Sequence, residues 1–188
     1  SGQLVRKHHP LTLDLNGIAK GHGVDRLTKA LHAQGIDAGL VGIDGELRAW
    51  GTRPDGEAWT VAVESPELER RTPHSVLTLH DAAVATSGDY RHGVLVNGLR
   101  LSHTMDPRRG APLRSSPASV TVVAATCAEA DAWATARQMS ELALGVIAPS
   151  GVKPFFIDNA QQTATEVVGE TVLRSPRLGQ GQHLSCLR

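Results

Sequence analysis

The sequence has 188 residues, of which 40% are apolar, which is enough to bury a core and to exclude a disordered chain. Nineteen basic residues balance nineteen acidic ones, and no basic stripe is interleaved with aromatic residues, so we expect no nucleic-acid partner. No run of about eighteen apolar residues occurs, so we expect no transmembrane segment in this chain.

The first predicted element is a helix that begins at Gly17 and ends at Gly35, a residue typical of helix C-termini. Its apolar residues recur at helical spacing: Ile18, Val24, Leu27 and Leu31. Upstream, the chain opens with SGQLVRKHHP, without an initiator Met or a signal sequence, which indicates a processed product, a fragment or a cloning remnant.

Short alternating or β-branched runs follow the helix, most of them bounded by Gly, Pro, Asn or Asp, and they predict antiparallel strands. They cover residues 38–43, 46–51, 59–65, 75–80, 82–87, 93–98 and 99–105. Asn97-Gly98, at the junction of the last two runs, predicts a tight hairpin turn.

The run SVTVVAA, residues 119–125, is continuously apolar, which predicts a strand buried on both faces. It leads into a second helix that contains EADAWATARQM, residues 129–139. Residues 153–159 and 164–169 predict a last hairpin.

The order of these elements predicts the fold class. One helix, many strands and another helix indicate an α+β protein with a largely antiparallel sheet and packed helices. We expect a single domain over residues 1–188, with a loose polar tail beyond about residue 172. Cys127 and Cys186 fit neither a metal-ligand spacing nor a disulfide framework, so we expect both to be incidental.

Asp131 and Thr135 are the first candidate site residues. Their spacing of four puts both on one face of the second helix, beside alanines that permit close packing. Asp131 is also suited to cap or solvate the first helical turn. Alternatively, the two side chains offer hard oxygen ligands to Mg²⁺ or Ca²⁺.

The stretch LDLNGIAKGHGVD, residues 13–25, places three glycines where a helix begins, although each costs roughly 1 kcal/mol relative to alanine in a helix interior. Glycine permits close approach of a ligand, and free N–H groups at a helix start favour an anion. Close packing of the helix is the alternative explanation. Lys20 either pairs with a phosphate or is simply exposed.

Two later stretches carry further candidates. VATSGDY, residues 84–90, ends a strand with the hydroxyls of Thr86 and Ser87, a combination that also marks an ordinary turn. SHTMDPRRG, residues 102–110, places His103 at the end of a predicted hairpin strand, as a base or a ligand-positioning donor.

Five blocks, taken together, resemble the ApbE family of FAD:protein FMN transferases. The blocks are LDLNGIAKGHGVDRL, GIDGELRAWG, VATSGDY, HTMDPRRGAP and SVTVVAATCAEADAWATA. They span residues 13–136 in the order that the family has. The resemblance implies an α+β fold and an enzyme that uses Mg²⁺ to cleave the pyrophosphate of FAD. It also implies transfer of FMN to a threonine or serine hydroxyl of a target flavoprotein, with release of AMP.

The resemblance also implies roles for individual residues. The metal ligands are Asp131, Thr135 and the backbone carbonyl of Gly17. The FAD-contacting residues are Asp14, Lys20, Thr86, Ser87, His103, Met105 and Asp106. His103 is in addition the candidate that positions or deprotonates the acceptor hydroxyl, which makes it the expected catalytic residue.

The chain departs from the family pattern in three places. Asn16 stands where the family usually has glycine, and Asp44-Gly45-Glu46 stands where it usually has Gly-Gly-Asp. Family members carry a substantial segment before the first block, whereas this sequence begins about a dozen residues before it, so we expect either that the first part was removed or that the protein is a naturally short relative. The sequence contains no S/T-G-A-T/S acceptor motif. A non-catalytic flavin- or metal-binding module and a purely structural domain are therefore the alternatives to an enzyme. The resemblance implies a periplasmic or membrane-anchored location.

Overall fold

The protein is an α+β chain with two helices and twelve short strands in the part that its computed structural model describes. The described residues are 4, 6–67, 70–90, 93–106, 108–113, 118–139, 153–157 and 163–165. This confirms the predicted fold class. The predicted loose tail and Cys186 lie outside the described residues, and the single domain over 1–188 stays a prediction.

The elements follow the predicted order. The helices are α1 (Ala19–Ala33) and α2 (Cys127–Met139). The strands are β1 (Gly39–Ile43), β2 (Glu46–Trp50), β3 (Trp59–Glu64), β4 (Pro73–Leu79), β5 (Ala83–Gly88), β6 (Val94–Val96), β7 (Leu99–Leu101), β8 (Met105–Asp106), β9 (Ala111–Pro112), β10 (Ser119–Ala124), β11 (Lys153–Ile157) and β12 (Thr163–Thr165).

One six-stranded sheet organises the fold, in the order β1-β2-β5-β10-β11-β12, and all of its neighbours are antiparallel. β3–β4, β6–β7 and β8–β9 form separate two-stranded pairs. The predicted last hairpin is present as β11 and β12, although its predicted ends at residues 158–159 and 166–169 lie outside the described residues.

Two-residue turns with positive φ close the tight hairpins. Asn97 (φ 51°) and Gly98 (φ 77°) join β6 to β7, as the sequence predicts. Asp44 (φ 49°) and Gly45 (φ 99°) join β1 to β2 in the same way. Paired positive φ values match the right-handed twist of the strands, which explains why Asn-Gly and Asp-Gly occur here.

The central strands are buried on both faces, and their side chains alternate between two clusters. Ala83 and Ala85 of β5 pack with Val120 and Val122 of β10 under the helices. Val84, between the two alanines, packs on the other face against the β3–β4 hairpin. The small side chains on the helical face let α1 and α2 approach the sheet closely, which is what brings the site residues together.

Two predicted boundaries are wrong. Residues 99–105 do not form one strand, because β7 ends at Leu101 and the Ser102 hydroxyl accepts a hydrogen bond from the Thr104 amide at 2.9 Å, which turns the chain. His103 therefore lies in a bend between two hairpins. The first helix begins at Ala19 and not at Gly17, because the Gly21 amide donates to Asp131 and not to the carbonyl four residues earlier.

The C-terminal stop of α1 is confirmed. Gly35 has a φ of 76°, its amide bonds to the His32 carbonyl, and the Ile36 amide bonds to the Leu31 carbonyl. This pair of bonds is the Schellman arrangement that glycine favours at helix ends. Within the described residues, neither helix has the length and apolar content that crossing a membrane requires.

Gly21→Ala tests the close approach of the two helices. An added Cβ would lie 2.2 Å from the Cys127 backbone carbonyl oxygen, so either helix must move. We expect the free energy of unfolding in urea to fall by about 1–3 kcal/mol, although alanine favours a helix over glycine by about 1 kcal/mol.

Gly23→Ala is the matched control in the same helix. Its Cβ would meet only the tip of the Ile43 side chain, at 3.0 Å. We expect its stability to stay within about 1 kcal/mol of the unsubstituted protein. Equal effects of the two substitutions would contradict the assigned helix contact.

Candidate functional site

One face of α2 carries the candidate site. Asp131, Thr135 and Gln138 occur at i, i+4 and i+7, so they lie in a row along this face. Each side chain is hydrogen-bonded to a different segment. Asp131 bonds to α1, Thr135 bonds to Ser87 at the end of β5, and Gln138 bonds to Asp89, the residue after β5. The row joins the start of α1 to the end of a central strand.

The contact between Asp131 and α1 is buried. Asp131 is 3% exposed, and its Oδ2 accepts a hydrogen bond from the Gly21 amide at 2.9 Å. Its other oxygen, Oδ1, accepts no hydrogen bond from the part of the chain that the structure describes. Asp131 thus joins two helices that are far apart in sequence, and it does not cap its own first turn.

The Asp131 contact also changes the start of α1. In a longer helix the Gly21 amide would donate to the Gly17 carbonyl. It donates to Asp131 instead, and the described residues supply no other backbone donor to the Gly17 carbonyl. Thr135 lies beside Gly17, since a Cβ added to the Gly17 Cα would be 2.9 Å from Thr135 Cγ2 and 3.2 Å from its Oγ1.

These contacts bring the three predicted metal ligands to one junction. A carboxylate, a hydroxyl and a backbone carbonyl are hard oxygen donors of the kind that Mg²⁺ prefers. Within the described residues, no group of three or more His, Cys, Asp or Glu side chains has metal-binding spacing. Any ion in this region would therefore depend on neutral oxygens beside Asp131.

Thr86 and Ser87 lie at the end of β5 next to this junction. The Ser87 hydroxyl is 3.2 Å from Thr135 Oγ1, and Thr86 Oγ1 is 2.8 Å from Thr121 Oγ1 of β10. Ser87 thus faces the helix junction, whereas Thr86 bonds to the neighbouring strand. The pair is part of a strand and not of a simple turn.

Lys20 is paired with the buried carboxylate of Glu46, which the sequence did not indicate as a site residue. Its Nζ lies 2.8 Å from Glu46 Oε1 and 3.7 Å from Asp44 Oδ2. Burial lowers the pKa of Lys20, but the hydrogen bond and charge of Glu46, together with the charges of Asp44 and Asp131, outweigh it, so the pKa is raised overall. Burial is the main cause of the raised pKa of Glu46, and the charge of Asp131 adds to it.

Asp14 precedes α1 and is exposed, and its side chain accepts a hydrogen bond from the Asn16 amide at 2.8 Å. This local turn leads the chain into the helix start. Within the described residues, no hydrogen bond or ion pair joins Asp14 to α2.

His103, Met105 and Asp106 lie around β8. His103 Nδ1 is 3.5 Å from Asp89 Oδ1, and 42% of its side chain is exposed. Met105 is 47% exposed. Through Asp89, this segment is connected to Gln138 and so to the same face of α2.

Asp106 has a structural contact of its own. It is 5% exposed, and its Oδ1 accepts a hydrogen bond from the Arg108 amide at 2.9 Å. That bond is the main cause that holds the pKa of Asp106 below its usual value, and the Arg108 and Arg109 charges add to it. The carboxylate shapes its own loop, which presents Arg108 and Arg109 to solvent.

Cys127 is unsuited to nucleophilic chemistry, as expected. It is fully buried, and burial is the main cause that raises its thiol pKa to about 12. The amides of Cys127 and Ala128 both donate to the Asp25 carboxylate at 2.9 Å, so Asp25 caps α2 from the other helix.

Three functional candidates were therefore missed: Asp25, Glu46 and Asp89. All are acidic residues whose partners are far away in sequence, so spacing along the chain gives no direct signal. Asp89 follows Gly88 inside the quoted block VATSGDY, and Glu46 follows the Asp44-Gly45 turn. The Asp44-Gly45 turn directly before Glu46 was the one local signal, because it predicts that Glu46 is the first residue of a paired strand.

Comparison with known proteins identifies the family. A profile described as the ApbE family matches residues 1–146. The chain belongs to the ApbE family. The resemblance of the five sequence blocks is thereby confirmed.

Several relatives support the assignment of this ApbE-family chain. The protein named FAD:protein FMN transferase of Vibrio cholerae is 42% identical over 135 residues, which are 71% of this chain and 40% of the relative. The protein of the same name from Escherichia coli K12 is 34% identical over 158 residues, 82% of this chain and 45% of the relative.

Solved structures agree with the fold. The ApbE protein of Thermotoga maritima has a TM-score of 0.72 and 29% identity, over 81% of this chain and 50% of that chain. The apo form of the flavinyl transferase ApbE of Pseudomonas stutzeri has a TM-score of 0.66 and 36% identity, over 88% of this chain and 49% of that chain. The ApbE-family chain thus spans about half the length of these relatives, or less.

Lys20→Met tests whether Lys20 compensates the buried Glu46 carboxylate. We expect a loss of about 1–2 kcal/mol in the free energy of unfolding at neutral pH without divalent ions. This is less than the roughly 3–5 kcal/mol of a fully buried pair, because 40% of the Lys20 side chain is exposed.

Glu46→Gln alone should lower the free energy of unfolding by less than about 1 kcal/mol, since it leaves no buried charge. The double substitution Lys20→Met/Glu46→Gln should be more stable than Lys20→Met alone. Chemical unfolding of all four proteins gives the coupling energy. A coupling of zero would contradict the role assigned to Lys20.

Proposed function

We propose that this chain is the part of a Mg²⁺-dependent FAD:protein FMN transferase that holds the divalent ion and the FAD diphosphate. The reaction joins FMN to a threonine or serine hydroxyl of a target flavoprotein and releases AMP. The names of the relatives support flavin transfer. The observation that carries the proposal is the diversion of the Gly21 amide to Asp131. It leaves the carbonyl of Gly17, a residue that lies beside Thr135, without its helical donor.

The donor set fits Mg²⁺. Asp131 supplies the negative charge, while Thr135 and the Gly17 carbonyl supply neutral oxygens, so positions remain for phosphate oxygens and water. When bound, the ion would neutralise charge on the diphosphate. Gly21 orients the carboxylate through its amide, and Ser87 orients the Thr135 hydroxyl, since their oxygens are 3.2 Å apart.

Basic side chains support binding of the diphosphate. Lys20 lies on α1 one turn after Gly17, and Arg108 and Arg109 are exposed in the loop shaped by Asp106. We assign Asp106 to loop shape rather than to direct contact, because a carboxylate repels a phosphate. Asp14, Thr86, Ser87 and Met105 are assigned to the walls of the FAD site.

His103 is assigned as the base for the acceptor hydroxyl. The hydroxyl oxygen forms a bond to the FMN phosphorus, its proton passes to His103, and the bond from that phosphorus to the bridging oxygen breaks. AMP leaves with the bridging oxygen. The partial exposure of the His103 side chain suits a group that must meet a hydroxyl on another protein.

A non-catalytic flavin- or metal-binding module is the second candidate. The departures from the family pattern at Asn16 and at Asp44-Gly45-Glu46 favour it. Incubation with FAD, Mg²⁺ and a flavoprotein that carries the acceptor motif separates the two functions. Covalent fluorescent product with stoichiometric AMP supports the transferase, whereas FAD retention without turnover supports the module.

Asp131→Asn tests the metal assignment. The amide keeps an oxygen for the Gly21 N–H but removes the charge, so we expect a folded protein that no longer binds Mg²⁺. FAD cleavage should fall by more than about 100-fold, as for loss of one group that stabilises developing charge. Calorimetric Mg²⁺ titration and AMP release measure the two effects.

Glu129→Gln is the control on the same helix, because Glu129 is exposed and bonds only to the helix start at Thr126. It should bind Mg²⁺ and release AMP like the unsubstituted protein. Unchanged Mg²⁺ affinity in Asp131→Asn would rule out Asp131 as a ligand. Asp131→Ala is the less specific variant, because it leaves the Gly21 amide unsatisfied at a cost of about 1–3 kcal/mol.

We further propose a periplasmic or membrane-anchored location, on the basis of the family resemblance. Fractionation of source cells, followed by detection of the chain with an antibody, tests it. Recovery only in the cytoplasmic fraction would contradict this location.

A further inference from the structure

Asp89 connects the exposed histidine to the candidate metal junction. It follows β5 directly and is about four-fifths buried at its side chain. Its Oδ1 accepts hydrogen bonds from Ser102 Oγ at 2.8 Å and from Gln138 Nε2 at 3.0 Å. His103 Nδ1 lies 3.5 Å from the same oxygen.

The chemistry of this contact favours one form of the histidine ring. An ionised carboxylate only accepts hydrogen bonds, so Nδ1 must carry a proton to interact with it favourably. In a neutral ring the Nε2 atom is then the basic nitrogen. A distance of 3.5 Å is long for a hydrogen bond, but such contacts shorten when a substrate fills the site.

The neutral donors around Asp89 fix where its carboxylate points. Ser102 ties it to the bend that holds His103, and Gln138 ties it to α2. Gln138 shares its helix face with Thr135 and Asp131, so the position of His103 is set relative to both. Asp131 and Gln138 are separated by about 10 Å along the helix.

We propose that Asp89 is a positioning residue that holds His103 in the Nδ1-protonated form, with Nε2 as the base for the acceptor hydroxyl. This inference rests on the proposed function, because it gives His103 its task there. Asp89 itself touches no reacting atom. It acts by fixing the ring form and the ring position relative to Asp131.

Nuclear magnetic resonance of ¹⁵N-histidine-labelled full chain tests the ring form without any need for activity. The sequence has nine histidines, so the His103 signals are assigned by their loss in His103→Gln. We expect the neutral ring of the unsubstituted protein to carry its proton on Nδ1. In Asp89→Leu, which keeps the approximate side-chain shape but offers no accepting oxygen, the Nε2-protonated form should become populated.

Ser102→Ala is the control for a merely structural role. It removes one hydrogen bond to Asp89 and loosens the same bend, but it leaves the carboxylate opposite Nδ1. We expect the Nδ1-protonated form to persist in this variant. Equal ring forms in the unsubstituted protein and in Asp89→Leu would overturn the proposal, as would an Nε2-protonated ring in the unsubstituted protein.

Kinetics supply the second readout. In Asp89→Leu, kcat for FMN transfer should fall about 10- to 100-fold, part of the 10²–10⁴ that a positioned base contributes, while KM for FAD stays within about twofold. A loss confined to KM would overturn the positioning role. A chain without any transfer activity would overturn the proposed function, whereas the ring form would still decide whether Asp89 orients His103.

Discussion

The hydrogen bond between the Gly21 amide and the Asp131 carboxylate is the contact on which the candidate site depends. It joins the first turn of α1 to the middle of α2, and glycine is required because an added Cβ would meet the Cys127 carbonyl. Because of this bond, the helical hydrogen bonds of α1 include the Ile18 carbonyl but not the Gly17 carbonyl. One buried interaction therefore packs two helices and also leaves backbone and side-chain oxygens at their junction.

The rest of the fold holds this junction in place. β5 and β10 carry small side chains towards the helices, and β5 ends at the level where Ser87 meets Thr135. Asp25 caps α2 from α1, so the two helices are joined at a second point. Because the junction of Asp131, Thr135 and Gly17 lies on a helix face next to a central strand, its geometry does not depend on the hairpins, whereas the position of His103 does.

The sequence predicted most of the architecture because its signals are local. Hairpin turns such as Asn97-Gly98, the glycine stop at Gly35 and the apolar run of β10 each act within a few residues. The two ends that were wrong have different causes. α1 starts late because of Asp131, a distant partner that leaves no trace in local spacing. β7 ends early because the Ser102 hydroxyl accepts from the Thr104 amide, a local turn inside a run that otherwise has the pattern of a strand.

The site residues also divide into those with a local sequence signal and those whose partners are distant in sequence. The i, i+4 pair on α2 was visible in the sequence, and its meeting with Gly17 followed from family resemblance. Glu46 and Asp89 were missed, because only the folded sheet brings Glu46 to Lys20 and Asp89 to His103. Buried acidic residues next to turns are therefore the positions where sequence patterns alone gave the least guidance.

Anomalous diffraction from crystals soaked in Mn²⁺, with and without FAD, is the most direct test of the junction as a metal site. We expect a peak about 2.0–2.4 Å from a carboxylate oxygen of Asp131, the Thr135 hydroxyl and the Gly17 carbonyl. A Mn²⁺ ion bound elsewhere, with this junction empty in the presence of FAD, would contradict it.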